Sequence, residues 1–210
     1  MKFRIPLRDY ERIFKTIYSI LKSEEADIEH SCVYASIFGA HIIRSHYKLE
    51  AKVHAGIAAY KLGAGDDDVM VYAERKEGEV FCSDAGFHCW VEVNGWLIDF
   101  MAPLFPDMIK RLRKELVLKP LMMQKRLDKS KKSIGDLVEV GDFFLETDIN
   151  KTHEIIDNFS EKRANSDLME ICENWYKKPP KKMIKKLPIS DGKGYTNEVS
   201  LIGRSLEGVW

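Results

Sequence analysis

No stretch of the 210 residues approaches the roughly 20 consecutive apolar positions of a membrane-spanning helix. The opening residues MKFRIPLRDY scatter charges where a secretory signal would carry an apolar run. The expectation is a cytoplasmic protein with no membrane partner. Charge of one sign is also missing, since 33 basic residues balance 33 acidic ones and remove the general attraction for polyanions on which nucleic-acid binders rely. One local run, Lys177, Lys178, Lys181, Lys182, Lys185 and Lys186, is interrupted by Pro179 and Pro180 and has no interleaved aromatics, so it reads as a solvated linker and no nucleic acid is expected. Cysteine is sparse. Cys32, Cys82, Cys89 and Cys172 form neither the dense framework of a secreted miniprotein nor the paired C-x-x-C spacing of a structural zinc site. On a strand Cys89 should point away from His88, so these residues do not read as a converging ligand set; no metal and no cofactor are expected. Repeats and low-complexity tracts are absent too.

What remains is the make-up of a packed protein, 45% hydrophobic and 31% charged, with 4 Trp, 8 Tyr and 10 Phe. Length fits one core with an appended part. The boundaries read as 1–145 for a catalytic core with an N-terminal helix, and 146–210 for a helical and irregular extension packed on it.

Leu7, Tyr10, Ile13, Phe14, Ile17, Tyr18 and Leu21 recur at steps of three and four, which predicts an amphipathic surface helix. After polar residues 23–29, the run from Val33 to Ile43 is apolar nearly all round and predicts a helix buried on most sides. Alternation of Val53, Ala55, Ile57 and Ala59, then residues 69–73 and 80–82 after turn-rich clusters, predicts strands. Two β-rich runs, 87–93 and 96–100, flank Asn94-Gly95, the strongest short-range hairpin signal. Helical patterning resumes at Met108, Ile109, Leu112 and Leu116 and should stop by Pro120; a short strand is expected at 137–144. Helices at 151–162 and 167–176 follow, the second with Ser166 as N-cap, and the last thirty residues read as irregular.

Cys32 opens the buried helix, where unpaired N–H groups and the positive end of the helix dipole favour a thiolate and can hold an oxyanion. The two-residue loop sets Val93 opposite Trp96, Trp90 opposite Asp99 and His88 opposite Met101, so His88, Trp90, Glu92, Leu97 and Asp99 share one face. His88 and Asp99 become diagonal neighbours with Cβ atoms about 7 Å apart, within reach of an imidazole–carboxylate hydrogen bond. Asp99 would orient the ring and leave its other nitrogen for the thiol. A buried cysteine or a strand histidine taken singly is more often core; the three in this order are what carry the reading.

The stretches CVYASIFGAHIIR from Cys32, YKLEAKV from Tyr47 and HCWVEVNGWLID from His88 resemble the core of the transglutaminase-like superfamily of papain-fold cysteine enzymes, over residues 29–101. The resemblance implies an α+β papain-like fold, a central helix on an antiparallel sheet with flanking helices, and an acyl-transfer or amide-hydrolysis site made of Cys32, His88 and Asp99. Glu29-His-Ser before Cys32 lacks the Arg-Gly-Gly-x-Cys pattern of arylamine acetyltransferases, which disfavours acetyl-CoA transfer. His30, beside the cysteine, and Trp90, on the His88 face, are candidate substrate-binding residues. The expected activity is that of a peptidase or amidase on a peptide or other amide-containing substrate. The alternatives are amine acyl transfer and an inactive scaffold that binds a partner.

Overall fold

The structure, a computed structural model, describes residues 3–27, 31–112, 115–190 and 193–210. Among these, five α-helices surround an antiparallel sheet in an α+β arrangement. Helix α1 (Leu7–Ser23) begins after Pro6, whose fixed φ suits a helix start, and carries Asp9 in its first turn and Lys22 in its last, as the helix dipole favours. Its apolar stripe, Tyr10, Ile13, Phe14, Ile17 and Ile20, is buried. Helix α2 (Cys32–Tyr47) is the buried helix its composition calls for. It packs against α1, against α5 (Arg163–Trp175), and on strands β1 (Ala51–Lys61) and β5 (His88–Val93).

The sheet has six strands in the order β2 (Val69–Tyr72), β1, β5, β6 (Trp96–Asp99) and β7 (Met123–Arg126), with β8 (Phe143–Thr147) also on β1. Strand β1 changes partners along its length, pairing its first half with β5 and its second with β2 and β8. The changeover is at Gly56, which faces both His88 and Thr147; a Cβ there would lie 2.0 Å from the Glu146 carbonyl oxygen. From Ala55 onward β1 is buried on both faces, not alternately as its sequence suggests, because α2 and α4 (Ile149–Ser160) both pack on it. Asn94 (φ 50) and Gly95 (φ 75) both take left-handed conformations, the requirement of a type I′ turn. Val91 pairs with Ile98 and Glu92 with Leu97, the register expected of that loop.

Several elements differ from expectation. Residues 80–82 join no central strand: β3 (Glu74–Lys76) and β4 (Glu79–Phe81) make a separate exposed ribbon. The helix after Pro103 is the short α3 (Phe105–Leu112), and β7 follows it; Leu116, expected in the helical pattern, lies outside α3. The strand expected at 137–144 lies at Phe143–Thr147, because Asp142 Oδ2 accepts from the N–H groups of Val138 and Glu139 and folds 138–142 into a turn. Helix α4 begins earlier, capped by Asp148, which accepts from the Lys151 N–H at 2.9 Å. Ser166 lies inside α5 and does not cap it; Asn165 closes the preceding turn by donating to the Phe159 carbonyl at 2.9 Å. The segment expected to be irregular holds an antiparallel pair, β9 (Lys186–Ser190) and β10 (Thr196–Ser200). The basic run before it is tied to α1, where the Arg12 guanidinium donates to the Lys177 and Lys181 carbonyls at 2.9 and 2.8 Å.

Strand β7 would be an open edge, but residues from both ends of the chain close it. The Gln124 amide accepts from the Arg4 and Ile5 N–H groups and donates to the Ile5 carbonyl, pairing with them as a peptide group would. On Met122, a parallel bridge to Val209 adds bonds from the Met122 N–H to Gly208 and from the Trp210 N–H to Met122.

Candidate functional site

The hairpin and the start of α2 meet where the sequence placed its candidate triad. His88 and Asp99 are both wholly buried (0% exposed), and the imidazole Nε2 donates to Asp99 Oδ2 at 2.8 Å. A carboxylate can only accept, so Nε2 carries hydrogen and Nδ1 is the nitrogen left over. Three further donors hold Asp99: Tyr60 Oη gives a hydrogen bond to the same Oδ2 at 2.8 Å, the Met101 N–H donates to Oδ1 at 2.8 Å, and Tyr10 Oη donates to the Asp99 carbonyl. Tyr10 and Tyr60 stay protonated, since burial, first, and the Asp99 charge push both phenols well up.

His88 Nδ1 is buried without a hydrogen-bond partner among the described residues, a costly state for a polar atom in a low-dielectric interior unless function requires it. Cys32 is the neighbour it can serve. The thiol sits at the first residue of α2, and the N-cap residue Ser31 does not cap the helix, because its hydroxyl donates to the Asp27 carbonyl at 2.6 Å. The Cys32 pKa is lowered well below that of a free thiol: a hydrogen bond from the Cys89 thiol acts most strongly, burial opposes it, and the nearness and charge of His88 and the Cys89 N–H add to it. Cys89 moves the other way, its thiol kept protonated by burial and by Cys32. Burial alone would depress His88, but the Asp99 charge and hydrogen bond, with Cys32, push it up to about 10. Across neutral pH the arrangement therefore favours a Cys32 thiolate facing a His88 imidazolium.

Strand alternation was expected to turn Cys89 away from this group, yet both His88 and Cys89 influence Cys32. The thiol lies over the start of β5, where it meets the Cys89 backbone N–H as well as the two side chains. No cluster of three metal-ligating side chains with suitable geometry occurs among the described residues.

Cys32 itself is only 5% exposed, so whatever reaches it must come through a narrow approach. A cleft of about 260 Å3 has Val33 and Phe87, the chain neighbours of Cys32 and His88, in its lining, with Tyr34, Lys151, Ile155 and Phe159 among the rest. Its far wall comes from α4, placing the C-terminal half of the chain against the candidate site. A separate cavity of about 350 Å3 lies between α5 and β9, lined by Trp175 and Leu187; neither cavity is lined by Cys32, His88 or Asp99 themselves. Trp90, expected as a substrate contact, is 1% exposed and stacks on His54 (centroids 6.1 Å apart), so it is part of the packed interior and has no open face to offer. His30 lies outside the described residues. Glu92, on the same face, pairs with His54 at 3.1 Å.

Sequence reasoning missed Tyr60, Tyr72 and Cys89. The ring of Tyr72 lies 4.2 Å from that of His88, tilted by 21°, and Tyr60 stands edge-on to His88 at 6.0 Å. Cys89 was adjacent to a named residue and legible; the two tyrosines depend on β2 and β1 pairing, which no local signal announced.

No helix among the described residues is long and apolar enough to cross a membrane. No curated protein matches the chain. A crystal structure from structural genomics is similar to it with a TM-score of 0.88 and 35% sequence identity, covering 100% of this chain and 98% of that one. The family model described as "Protein of unknown function (DUF2026)" matches residues 6–210, so the fold and the Cys32–His88–Asp99 grouping belong to a member of the DUF2026 family.

Proposed function

We propose that the chain is a cysteine hydrolase, a peptidase or amidase with the papain-like, transglutaminase-like form of the α+β fold, using Cys32 as nucleophile, His88 as acid and base, and Asp99 to orient it. The observation that carries this reading is the His88 Nε2 to Asp99 bond, which leaves a buried Nδ1 without a partner beside a thiol at a helix N-terminus. The thiolate attacks the carbonyl carbon of an amide, and N–H groups of the first turn of α2 stabilise the oxyanion. The imidazolium gives its proton to the leaving amine as the C–N bond breaks, and water, deprotonated by the now neutral imidazole, hydrolyses the thioester. A second amine in place of water would make the reaction an acyl transfer.

One observation favours the rival reading of a non-catalytic scaffold, namely the 5% exposure of Cys32. Alkylation by iodoacetamide as a function of pH, followed by intact mass and peptide mapping, separates the two. The hydrolase reading expects Cys32 to react selectively at pH values well below the ordinary thiol pKa of about 8.5, and to lose that reactivity in His88→Ala. Reaction no faster than that of Cys82, and indifferent to His88, would leave only the scaffold.

A further inference from the structure

The geometry points to Tyr72 as a positioning residue that acts through His88: its ring lies flat on the imidazole and keeps water from the His88–Asp99 hydrogen bond. This rests on the hydrolase reading of the same site and adds to it a part that neither the sequence nor the triad itself supplies.

The two rings are 4.2 Å apart and 21° from parallel, an offset stack and not a chance edge contact. His88 is 0% exposed, whereas Tyr72, the last residue of β2, is half-buried, so the tyrosine is the layer between the imidazole and solvent. Its position is fixed from three sides. Pairing of Tyr72 with Ala58 sets it on the sheet, its hydroxyl donates to Met108 Sδ at 3.4 Å on α3, and its ring lies against Tyr60 (6.4 Å, 79°) and Phe105 (6.4 Å). Among the described residues the titratable groups that act on or lie against His88 are Asp99 from β6, Cys32 from α2, Tyr60 from β1 and Tyr72 itself, while α3 contributes the uncharged Phe105 and Met108 around the two tyrosines.

A carboxylate holds an imidazolium more strongly the lower the local dielectric. Removing the ring admits water, which weakens both the burial penalty on His88 and the pull of Asp99. Burial is the largest single influence, but Asp99 and Cys32 together outweigh it, so screening them all by water moves His88 back toward the ordinary imidazole range. A flat aromatic face also suits the cationic ring directly. Loss of Tyr72 thus shortens, from the alkaline side, the pH range over which the imidazolium can serve as proton donor.

The test is a pH titration of the His88 ring nitrogens by NMR in the full-length, 15N-histidine-labelled protein, with His88→Gln to assign the signal. Tyr72→Phe keeps the ring and should titrate with wild type. Tyr72→Ser should titrate lower by about one unit or more, and the alkaline limb of Cys32 alkylation should fall with it. Tyr72→Leu, which fills the space without a flat face, is the second variant should the serine variant fold poorly by circular dichroism; a smaller shift in the same direction is expected. A folded serine or leucine variant whose His88 titrates as in wild type overturns the proposal. Because the readout is the imidazole itself, an unreactive Cys32 would remove the hydrolase reading and leave the titration result standing on its own.

Discussion

Replacing Asp99 by Asn tests the electrostatic core of the site with little change of shape. Asp99 is the only carboxylate bonded to His88 among the described residues, and against the opposing effect of burial it does most, with Cys32, to raise the imidazole to about 10. At pH 8 a group titrating at about 10 is about 99% protonated, whereas an imidazole at its ordinary value of about 6.5 is about 3% protonated. A return of the imidazole to that ordinary value lowers the imidazolium population at pH 8 by about 30-fold, a fall that burial deepens and the Cys32 thiolate opposes. Asparagine can still accept from Tyr60 Oη, which limits structural damage; near-ultraviolet circular dichroism checks this. The assay is the second-order rate of Cys32 alkylation at pH 8, with the full pH profile for both proteins. The expected outcome is a slower reaction at pH 8 and a thiolate limb moved to higher pH, because loss of the imidazolium removes one of the influences that hold the Cys32 thiol down. A D99N protein that is folded and reacts within about threefold of wild type, with the same profile, would show that the carboxylate does not set the imidazole's charge, and the argument from geometry to activation would fail.

Two further outcomes follow from the same structure. Native His88, raised to about 10, holds a proton that its unfolded counterpart releases above about 6.5, while native Cys32 lacks a proton that the unfolded thiol keeps below about 8.5. The two differences cancel between about pH 6.5 and 8.5, so urea unfolding should show a flat contribution there, falling on the alkaline side toward 10 as His88 loses its proton and on the acid side as Cys32 gains one; Cys32→Ser should abolish the acid-side slope. Gly39→Ala in the middle of α2 should lower stability by about 1 to 2 kcal/mol: the gain in helix propensity, about 1 kcal/mol, is outweighed by overpacking against Phe100. Its new Cβ would lie 2.3 Å from two carbons of that ring, which is 2% exposed and stacked on Tyr10, so a urea midpoint at or above wild type would mean the ring yields freely.

What was legible in the sequence divides by the range of the force that fixes it. Asn94-Gly95 dictates its turn through local φ values, and the register of the hairpin, hence the His88–Asp99 contact, follows by counting. Helix α2 is readable because residues 33–43 are apolar on all sides, and Cys32 at its start comes with it. By contrast, β7 contains no β-branched residue and two charged ones, and forms because β6 offers an open edge; nothing in Met123–Arg126 itself demands a strand. Ser166 is a good cap residue in a place where the buried Asn165 had already fixed the turn. Tyr60 and Tyr72 reach the triad through a β2–β1 pairing whose register depends on long-range closure, and Trp90 was assigned to the correct face but not to the correct depth.

The dressing of β7 by Gln124 and by residues 208–210 bears on how the molecule behaves in company. A bare edge strand is a template on which a second chain can extend the sheet. Here a side-chain amide of the strand holds residues 4 and 5 alongside it, and a parallel bridge occupies the position just before it, so a neighbouring chain meets this side already partly covered. The same strand backs β6, which carries Asp99, and its closure therefore guards the molecule from edge-to-edge self-association at the very side where such growth would pull on the carboxylate.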